Sequence, residues 1–142
     1  MTKAPPGRSS TAGYEVGPFS SLADAKFIAL TTFRRSGEPV TTPVEFVISD
    51  QDLYVRTTTD AGKVKRIRND PHVRVARCTM RGAVRGPAFE GIATLLGDPE
   101  SDALTESFGR RYGFLWRVAA RLRRPRTQGI GIARAVESRP YR

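Results

Sequence analysis

Cysteine and histidine are scarce in this 142-residue sequence, since each occurs once, as Cys78 and His72. A single cysteine excludes an intramolecular disulfide and a multi-cysteine metal site, and a single histidine excludes a histidine-rich metal cluster. No apolar run approaches the roughly 18 residues of a membrane-spanning helix, and no apolar segment follows Lys3 and Arg8 as it would in a secretory signal. We therefore expect a cytoplasmic protein with no metal site and no transmembrane segment.

Familiar catalytic motifs are also missing. The sequence has no phosphate-binding P-loop, no G-x-G-x-x-G before a helix and no C-x-x-C. A Ser-His-Asp triad would have to use His72, which opens a predicted strand and which we interpret as a strand-edge residue. We interpret Cys78 as a small buried apolar residue. No catalytic residue is identified, so any chemistry would come from a cofactor.

Positive charge is concentrated in the last quarter of the chain. The formal net charge is +10. Residues 107–142 hold ten arginines and one acidic residue, Glu137, which is a net +9, so residues 1–106 carry only +1. Such a local excess characterises one surface of a protein and not its fold.

Period-two alternation of apolar residues predicts an antiparallel β domain over residues 20–142, after a flexible arm at 1–19 that is rich in proline, glycine and serine. The six predicted strands are 26–35, 40–48, 53–58, 73–79, 89–96 and 129–136. Pro43 lacks a backbone N–H, so we expect its strand to lie at a sheet edge or to be bulged there. The prediction is a mostly β fold with flanking helices, forming a small six-stranded barrel.

Two helical segments interrupt the strands. We expect the Thr-Asp pair at 59–60 to cap a short helix that buries Val64 and Ile67. The Asp-Pro-Glu sequence at 98–100 is typical of a helix start, with its aspartate as the N-cap, and we expect this second helix to break at Gly113.

The last helical segment, roughly residues 102–124, is amphipathic. One face carries Leu115, Val118, Ala119 and Leu122, and another carries Arg117, Arg121 and Arg124. We favour a helix whose apolar face packs on the barrel while its arginines are solvated. The alternative is a helix that lies on an anionic membrane surface or another polyanion. Since no known nucleic-acid-binding signature is present, we expect no specific nucleic-acid binding.

The stretch from residue 53 to residue 70 has the composition of an anion site. A strand with Arg56 ends in three threonines and leads into a helix that carries Gly62, Lys63 and Lys65. Hydroxyls, free N–H groups at a helix N-terminus and adjacent ammonium groups suit a phosphate. The alternative is a solvated basic helix, and these residues alone do not name a ligand.

The sequence over residues 25–97, and especially LTTFRRSGEPVTTPVEF, LYVRT and GKVKRIRNDP, closely resembles the split β-barrel flavin and deazaflavin oxidoreductases. These are relatives of pyridoxamine 5′-phosphate oxidase, and the most similar branch depends on coenzyme F420. The segments RYGFLWRVAARLRR and GIGIARAVES resemble the family's last helix and strand. One departure is Glu45, where many relatives have Trp or Tyr.

The resemblance implies a split barrel that forms a homodimer, with two cofactor sites at the subunit interface. The cofactor phosphate would lie at the start of the short helix, against Lys63 and Lys65, and its ring along strand residues 42–44. The cofactor-binding residues that the resemblance implies are Thr42, Pro43, Val44, Arg56, Thr57, Thr58, Gly62, Lys63, Val64 and Lys65.

The resemblance further implies an oxidoreductase that uses F420 to transfer hydride to a small conjugated organic acceptor. The arginine-rich C-terminal segment could accept the oligoglutamate tail of F420, which FMN lacks. The alternatives are an FMN-dependent protein and a non-catalytic protein that carries the cofactor or binds haem.

Overall fold

The computed structural model describes residues 18–123 and 127–134, with the backbone alone at 18 and 119–123. Most of the predicted arm therefore lies outside the described residues. The elements are, in order, a 3₁₀ turn at Pro18–Leu22, β1 (Phe27–Phe33), β2 (Pro39–Val44), β3 (Phe46–Ser49), β4 (Asp52–Thr58), α1 (Gly62–Asn69), β5 (His72–Cys78), β6 (Phe89–Leu95), α2 (Asp98–Tyr112), α3 (Phe114–Arg123) and β7 (Thr127–Arg134).

The described strands form one curled antiparallel sheet in the order β2-β1-β5-β6-β7-β4-β3. The strands β2 and β3 lie at opposite edges of this sheet, although a single residue, Glu45, separates them in the chain. The sheet therefore curls into a half-barrel whose two edges are joined covalently at Glu45.

The prediction of six strands is wrong, because the described sheet has seven. The expected single strand at 40–48 is two strands: residues up to Val44 pair with β1, and residues from Phe46 pair with β4. Phe46 and Val47 are both buried because they face opposite sides of β3, Phe46 in the main core and Val47 in the cluster with α2. The expected edge position of Pro43 is confirmed, since β2 pairs only with β1.

The core lies on the concave face of the sheet, where alternate residues of each strand point inward. Phe19 and Leu22 of the 3₁₀ turn join it. Val64 and Ile67 of α1 are buried as predicted. The largest fully buried side chains are those of Phe19, Phe46, Phe108, Ile28, Leu30, Leu53, Ile130, Ile132, Val55, Val64, Val73 and Val75.

Both predicted N-caps are wrong by one or two residues. The N-cap of α1 is Ala61 and that of α2 is Gly97, and neither helix has a side-chain cap. Pro99 is nevertheless in the first turn of α2, where its missing N–H costs no helical hydrogen bond. The break at Gly113 is confirmed, because α2 ends there at a φ of 94° that favours glycine.

The orientation of α3 differs from the favoured prediction. Trp116 packs inward against Phe108, with their ring centroids 5.7 Å apart. Phe114 and Leu115 are 76% and 80% exposed, and Val118 is 38% exposed. The expectation that Leu115 and Val118 pack on the barrel is therefore wrong. No described helix is both long enough and apolar enough to cross a membrane.

Candidate cofactor-binding site

The first turn of α1 leaves its backbone N–H groups without a side-chain acceptor. Its N-cap, Ala61, has no capping side chain, and its first turn contains no acidic residue. The N-terminal end of a helix carries a partial positive charge, from unpaired N–H groups and from the helix dipole. This end of α1 therefore favours an anion.

Arg66 adds a positive charge to the same end of the helix. Its guanidinium folds back over the first turn, and Nη1 lies 2.9 Å from the position that a Cβ on Gly62 would occupy. Arg66 Nε also donates a 2.6 Å hydrogen bond to Oγ1 of Thr32, which is 1% exposed. The absence of a side chain at Gly62 and the buried Thr32 hydroxyl together fix the guanidinium over the helix N-terminus.

Burial, and then a neighbouring cation, lower the pKa values of two basic residues on α1. The pKa of half-buried Lys63 is lowered mainly by burial and then by the nearby charge of Arg66. The pKa of Arg66 is lowered by burial and then by the charge of Arg34. Three like charges so arranged disfavour one another unless an anion lies between them, which is typical of a binding site.

A pocket of about 290 Å³ lies between α1 and the end of β1. It is lined by Phe33, Arg34, Arg35, Lys65, Arg66 and Asn69. Arg34 forms an exposed ion pair with Glu38, at 3.2 Å between Nε and Oε1. In the ranges 18–123 and 127–134, no ion pair involves Arg35, Lys65 or Arg66. The pocket is thus a cationic concavity with one carboxylate at its rim.

Lys63 and Lys65, which are predicted to share one phosphate site, lie on different sides of α1. Successive helical residues are about 100° apart, so two positions separate these side chains by about 200°. Lys63 lies beside Arg66, whereas Lys65 lines the cationic pocket. Val64, between them, is fully buried. The two lysines therefore contribute charge to adjoining regions and not to a single point.

The strand segment Thr42–Val44 lies on the free edge of the sheet. An edge strand directs alternate N–H and C=O groups away from the sheet. The register pairs Val40 with Thr32, the acceptor for Arg66, and pairs Thr42 with Leu30. Thr42 lies two residues beyond Val40, the partner of Thr32, which is about 7 Å along the strand. The predicted ring-binding segment begins a short distance from the cations at α1.

The loop after β5 lies close to this edge. Gly82 has a φ of 91°, and a Cβ at this position would lie 3.6 Å from Cδ of Pro43. The same loop carries Met80 and Val84, which are 70% and 53% exposed. Pro43 is therefore close to a loop whose apolar side chains, Met80 and Val84, are exposed.

The end of β4 divides the remaining predicted site residues between two faces. Thr57 lies on the face of buried Val55, and Arg56 and Thr58 lie on the opposite face, since strand side chains alternate. Arg56 donates hydrogen bonds of 3.2 Å to Thr105 and Thr127. The structure thus holds Arg56 against α2 and β7 and does not bring it to the α1 cations.

A polar cluster surrounds Trp116 at the corner of the sheet. The indole Nε1 donates a 3.0 Å hydrogen bond to Oε1 of Glu45. The guanidinium carbon of Arg56 lies 5.0 Å from the centre of the Trp116 ring, within the range of a cation–π interaction. Glu45, the departure from the family pattern, therefore faces a tryptophan supplied by α3.

The structure adds three arginines that are absent from the predicted site. Arg34 and Arg35 follow β1, and Arg66 is in the second turn of α1. The adjacent arginines at 34–35 are visible in the sequence, but nothing local indicates that they face α1, which begins at Gly62.

The remaining candidate residues match their structural interpretations. His72 begins β5, and its Nε2 lies 2.5 Å from Oε1 of Glu90 on β6. Cys78 is buried, as predicted, and burial raises its pKa. The described residues contain no group of three or more metal-ligating side chains. A second pocket of about 290 Å³, lined by Val47, Ser49, Tyr54, Leu96, Glu100, Ala103, Leu104 and Ser107, lies between α2 and the outer face of the sheet.

Known structures of several functions share this fold. HutZ, the haem storage protein of Vibrio cholerae, is 15% identical with a TM-score of 0.64, over 80% of this chain and 84% of that one. An F420 reductase is 20% identical with a TM-score of 0.62, over 85% of this chain and 96% of that one. A conserved hypothetical protein of Mycobacterium tuberculosis is 20% identical with a TM-score of 0.65, over 85% and 82%. Identities this low establish the fold alone.

No curated protein matches the sequence. The family model described as pyridoxamine 5′-phosphate oxidase, however, matches residues 19–134, which include every described strand. The chain belongs to the pyridoxamine 5′-phosphate oxidase family, and its fold is that family's split barrel.

Proposed function

We propose that this protein is an oxidoreductase that uses coenzyme F420 to transfer hydride to a small conjugated organic acceptor. The observation that carries the proposal is the position of Lys63 and Arg66 at the uncapped N-terminus of α1. Two partly buried cations at the positive end of a helix are favourable only when an anion joins them. A cofactor phosphate supplies that anion.

The residues present fit such a cofactor. Lys63, Arg66 and the first-turn N–H groups of α1 would bind the phosphate, and the free edge of Thr42–Val44 would hydrogen-bond the polar edge of the ring. When bound, the deazaflavin supplies the hydride. The protein's part is to fix the ring against the edge strand, to orient the acceptor and to exclude water.

The cationic pocket favours F420 over FMN. Arg34, Arg35 and Lys65 line a concavity next to the phosphate-binding cations, and Glu38 pairs with only one of them. FMN carries no anionic group beyond its phosphate, whereas F420 carries an oligoglutamate tail. We therefore assign the first carboxylates of that tail to this pocket.

We also propose that the protein is a homodimer, with the partner subunit covering the free edge of β2. The exposed Met80 and Val84 lie on the loop beside Pro43, and apolar side chains at a sheet edge favour association. Size-exclusion chromatography with light scattering gives the mass directly. A monomer at all concentrations would contradict this part of the proposal.

Haem binding is a second candidate, because the haem storage protein HutZ has the same fold. Haem iron needs an axial ligand such as histidine or cysteine. The only histidine, His72, is engaged by Glu90, and the only cysteine is buried. The described residues therefore favour a phosphate-bearing cofactor over haem.

The proposal is tested by titrating the purified protein separately with F420, FMN and haem, and then by measuring oxidation of reduced F420 with a panel of conjugated acceptors. We expect F420 to bind more tightly than FMN, and we expect reduced F420 to be oxidised only when both protein and acceptor are present. Tight F420 binding without turnover would identify a carrier. Tighter binding of FMN or haem would contradict the assignment.

A further inference from the structure

The exposed face of α3 consists of apolar side chains within a strongly basic segment. Phe114 and Leu115 are among the most exposed large apolar residues described, and Val118 lies on the same side of the helix. Trp116 faces the opposite way and contacts Phe108. The helix is thus anchored by its tryptophan and presents its apolar side to the exterior. Phe114, Leu115 and Val118 are called the α3 patch below.

Two exposed arginines flank the α3 patch. Arg110 precedes it at the end of α2, and Arg117 lies beside it on α3. Arg111 is turned toward the domain, where its guanidinium donates a hydrogen bond to the carbonyl of Ala25. The segment 107–142 has a net charge of +9 in sequence. An exposed apolar surface flanked by arginines fits a partner that is both apolar and anionic.

We propose that α3 docks the protein onto an anionic membrane surface, with the α3 patch inserted among the acyl chains and the arginines on the lipid headgroups. A nucleic acid would use the arginines and leave Phe114 and Leu115 in water. A symmetric contact with a second copy of this chain would bring two surfaces of the same positive charge together, since it uses one surface on both sides. An anionic lipid surface complements both features.

The geometry of α3 suits a helix that lies in the interface. Gly113, at a φ of 94°, ends α2 and redirects the chain, so α3 is a separate helix. Glu45 accepts the hydrogen bond from Trp116 and holds the opposite side of α3 to the sheet corner. The patch therefore projects from a fixed support. This inference does not depend on the proposed cofactor.

The test is co-sedimentation of the full-length protein with vesicles of phosphatidylcholine alone, or of phosphatidylcholine mixed with phosphatidylglycerol. We expect binding to the mixed vesicles that weakens as salt is raised, and little binding to phosphatidylcholine alone. In the double variant Phe114→Ser/Leu115→Ser, binding should weaken by about tenfold or more, because each side chain contributes through its burial. Ile92→Ser is the matched control, since Ile92 is a large apolar residue that is 43% exposed on β6, away from α3 and from the proposed dimer contact.

Substitutions at exposed positions should leave the thermal midpoint unchanged, and Arg117→Gln provides a second variant that keeps the patch. It should weaken binding to the mixed vesicles and reduce the salt dependence. Equal binding to both vesicle types, no binding by the wild type, or wild-type binding by the double variant would overturn the proposal. Loss of dimerisation in the double variant, without vesicle binding by the wild type, would instead identify the patch as a subunit contact.

Discussion

Trp116 on α3 donates a hydrogen bond through its indole Nε1 to Oε1 of Glu45, at 3.0 Å, and Glu45 is the single residue that joins the two edges of the sheet. The resemblance to the family leads one to expect a bulky aromatic residue at position 45. Here the aromatic ring comes from α3, and the carboxylate of Glu45 positions it. One hydrogen bond thus couples the closing corner of the half-barrel to the orientation of α3.

This coupling predicts that Glu45 and Trp116 contribute jointly to stability. Trp116→Phe keeps an aromatic ring against Phe108 and removes the N–H, and Glu45→Ala removes the acceptor. We expect each to lower the free energy of unfolding, with a coupling of about 1 kcal/mol in the double-mutant cycle. Denaturant unfolding measures it. Glu106→Ala, at an exposed position on α2, is the control, and additive effects of the two substitutions would show that the contact is not stabilising.

Tyr112 is predicted to stabilise the same corner of the sheet through a second set of hydrogen bonds. Its hydroxyl accepts the N–H of Phe46 at 3.0 Å and lies 3.1 Å from the carbonyl of Lys26, so it bridges the start of β3 and the residue before β1. Tyr112→Phe would leave the N–H of a fully buried residue without its partner, and should cost about 1–3 kcal/mol of unfolding free energy. Tyr54→Phe, on the face of the sheet toward α2, should change it by less than about 0.5 kcal/mol. Equal effects of the two substitutions would argue against the bridging role.

Gly91 on β6 is predicted to be required for close packing of the sheet. A Cβ at this position would lie 2.7 Å from Cγ2 of Ile132 and 3.2 Å from the carbonyl oxygen of Ala133. Gly91→Ala should therefore destabilise the fold by about 1–3 kcal/mol through overpacking. At Gly86 the nearest atom is 3.8 Å away, so Gly86→Ala should be nearly neutral. Thermal unfolding of the two variants distinguishes them, and a neutral Gly91→Ala would show that the strands adjust.

The spacing of apolar residues was sufficient to predict much of this fold, because alternating and helical spacings indicate which face of a strand or helix is buried. The buried positions of α1 and the break at Gly113 followed from such patterns. The division of the strand at Glu45 did not, because the chain changes sheet edges there without any turn residue. The outward orientation of α3 also escaped prediction, since an amphipathic pattern identifies an apolar face and not what covers it.

The candidate site was predictable to the extent that it is local. Gly62 and Lys63 follow directly from the composition around the start of α1. Arg34 reaches this region only through the packing of β1 against α1, and Arg66 through a side chain that folds back over Gly62. Neither position could be assigned from spacing alone, because both depend on tertiary contacts.

Removal of a cation at α1 is predicted to weaken binding of F420. Each charge-assisted contact with the phosphate contributes about 1.5–3 kcal/mol, so Lys63→Ala should raise the Kd of F420 by roughly 10-fold to 150-fold. Lys65→Ala, in the adjoining pocket, should also raise the Kd of F420. It should raise the Kd of a deazaflavin fragment that lacks the phosphate and the tail by a smaller factor. Lys26→Ala is the control, an exposed lysine just before β1. Unchanged F420 affinity in Lys63→Ala would remove the phosphate site proposed above.

The lowered pKa of Lys63 predicts opposite pH trends for stability and for F420 binding. Burial and the charge of Arg66 lower the pKa of Lys63 in the folded protein, so the unfolded chain binds more protons at this site. The free energy of unfolding without cofactor should then rise with pH, between the lowered pKa and the ordinary lysine value. The affinity for F420 should fall over the same range, because the cofactor phosphate needs the charged ammonium.

Two substitutions at position 63 isolate these trends from other titrating groups. Lys63→Gln has no charge to desolvate, so its stability advantage over the wild type should be largest near neutral pH and should shrink as pH rises. Lys63→Arg stays charged throughout, so its F420 affinity should fall less steeply between about pH 7 and pH 10. Calorimetric titration and denaturant unfolding over this range give both quantities. Parallel pH profiles for the wild type and Lys63→Arg would mean that Lys63 does not contact the phosphate, and the anion site would then rest on Arg66 and the helix N-terminus.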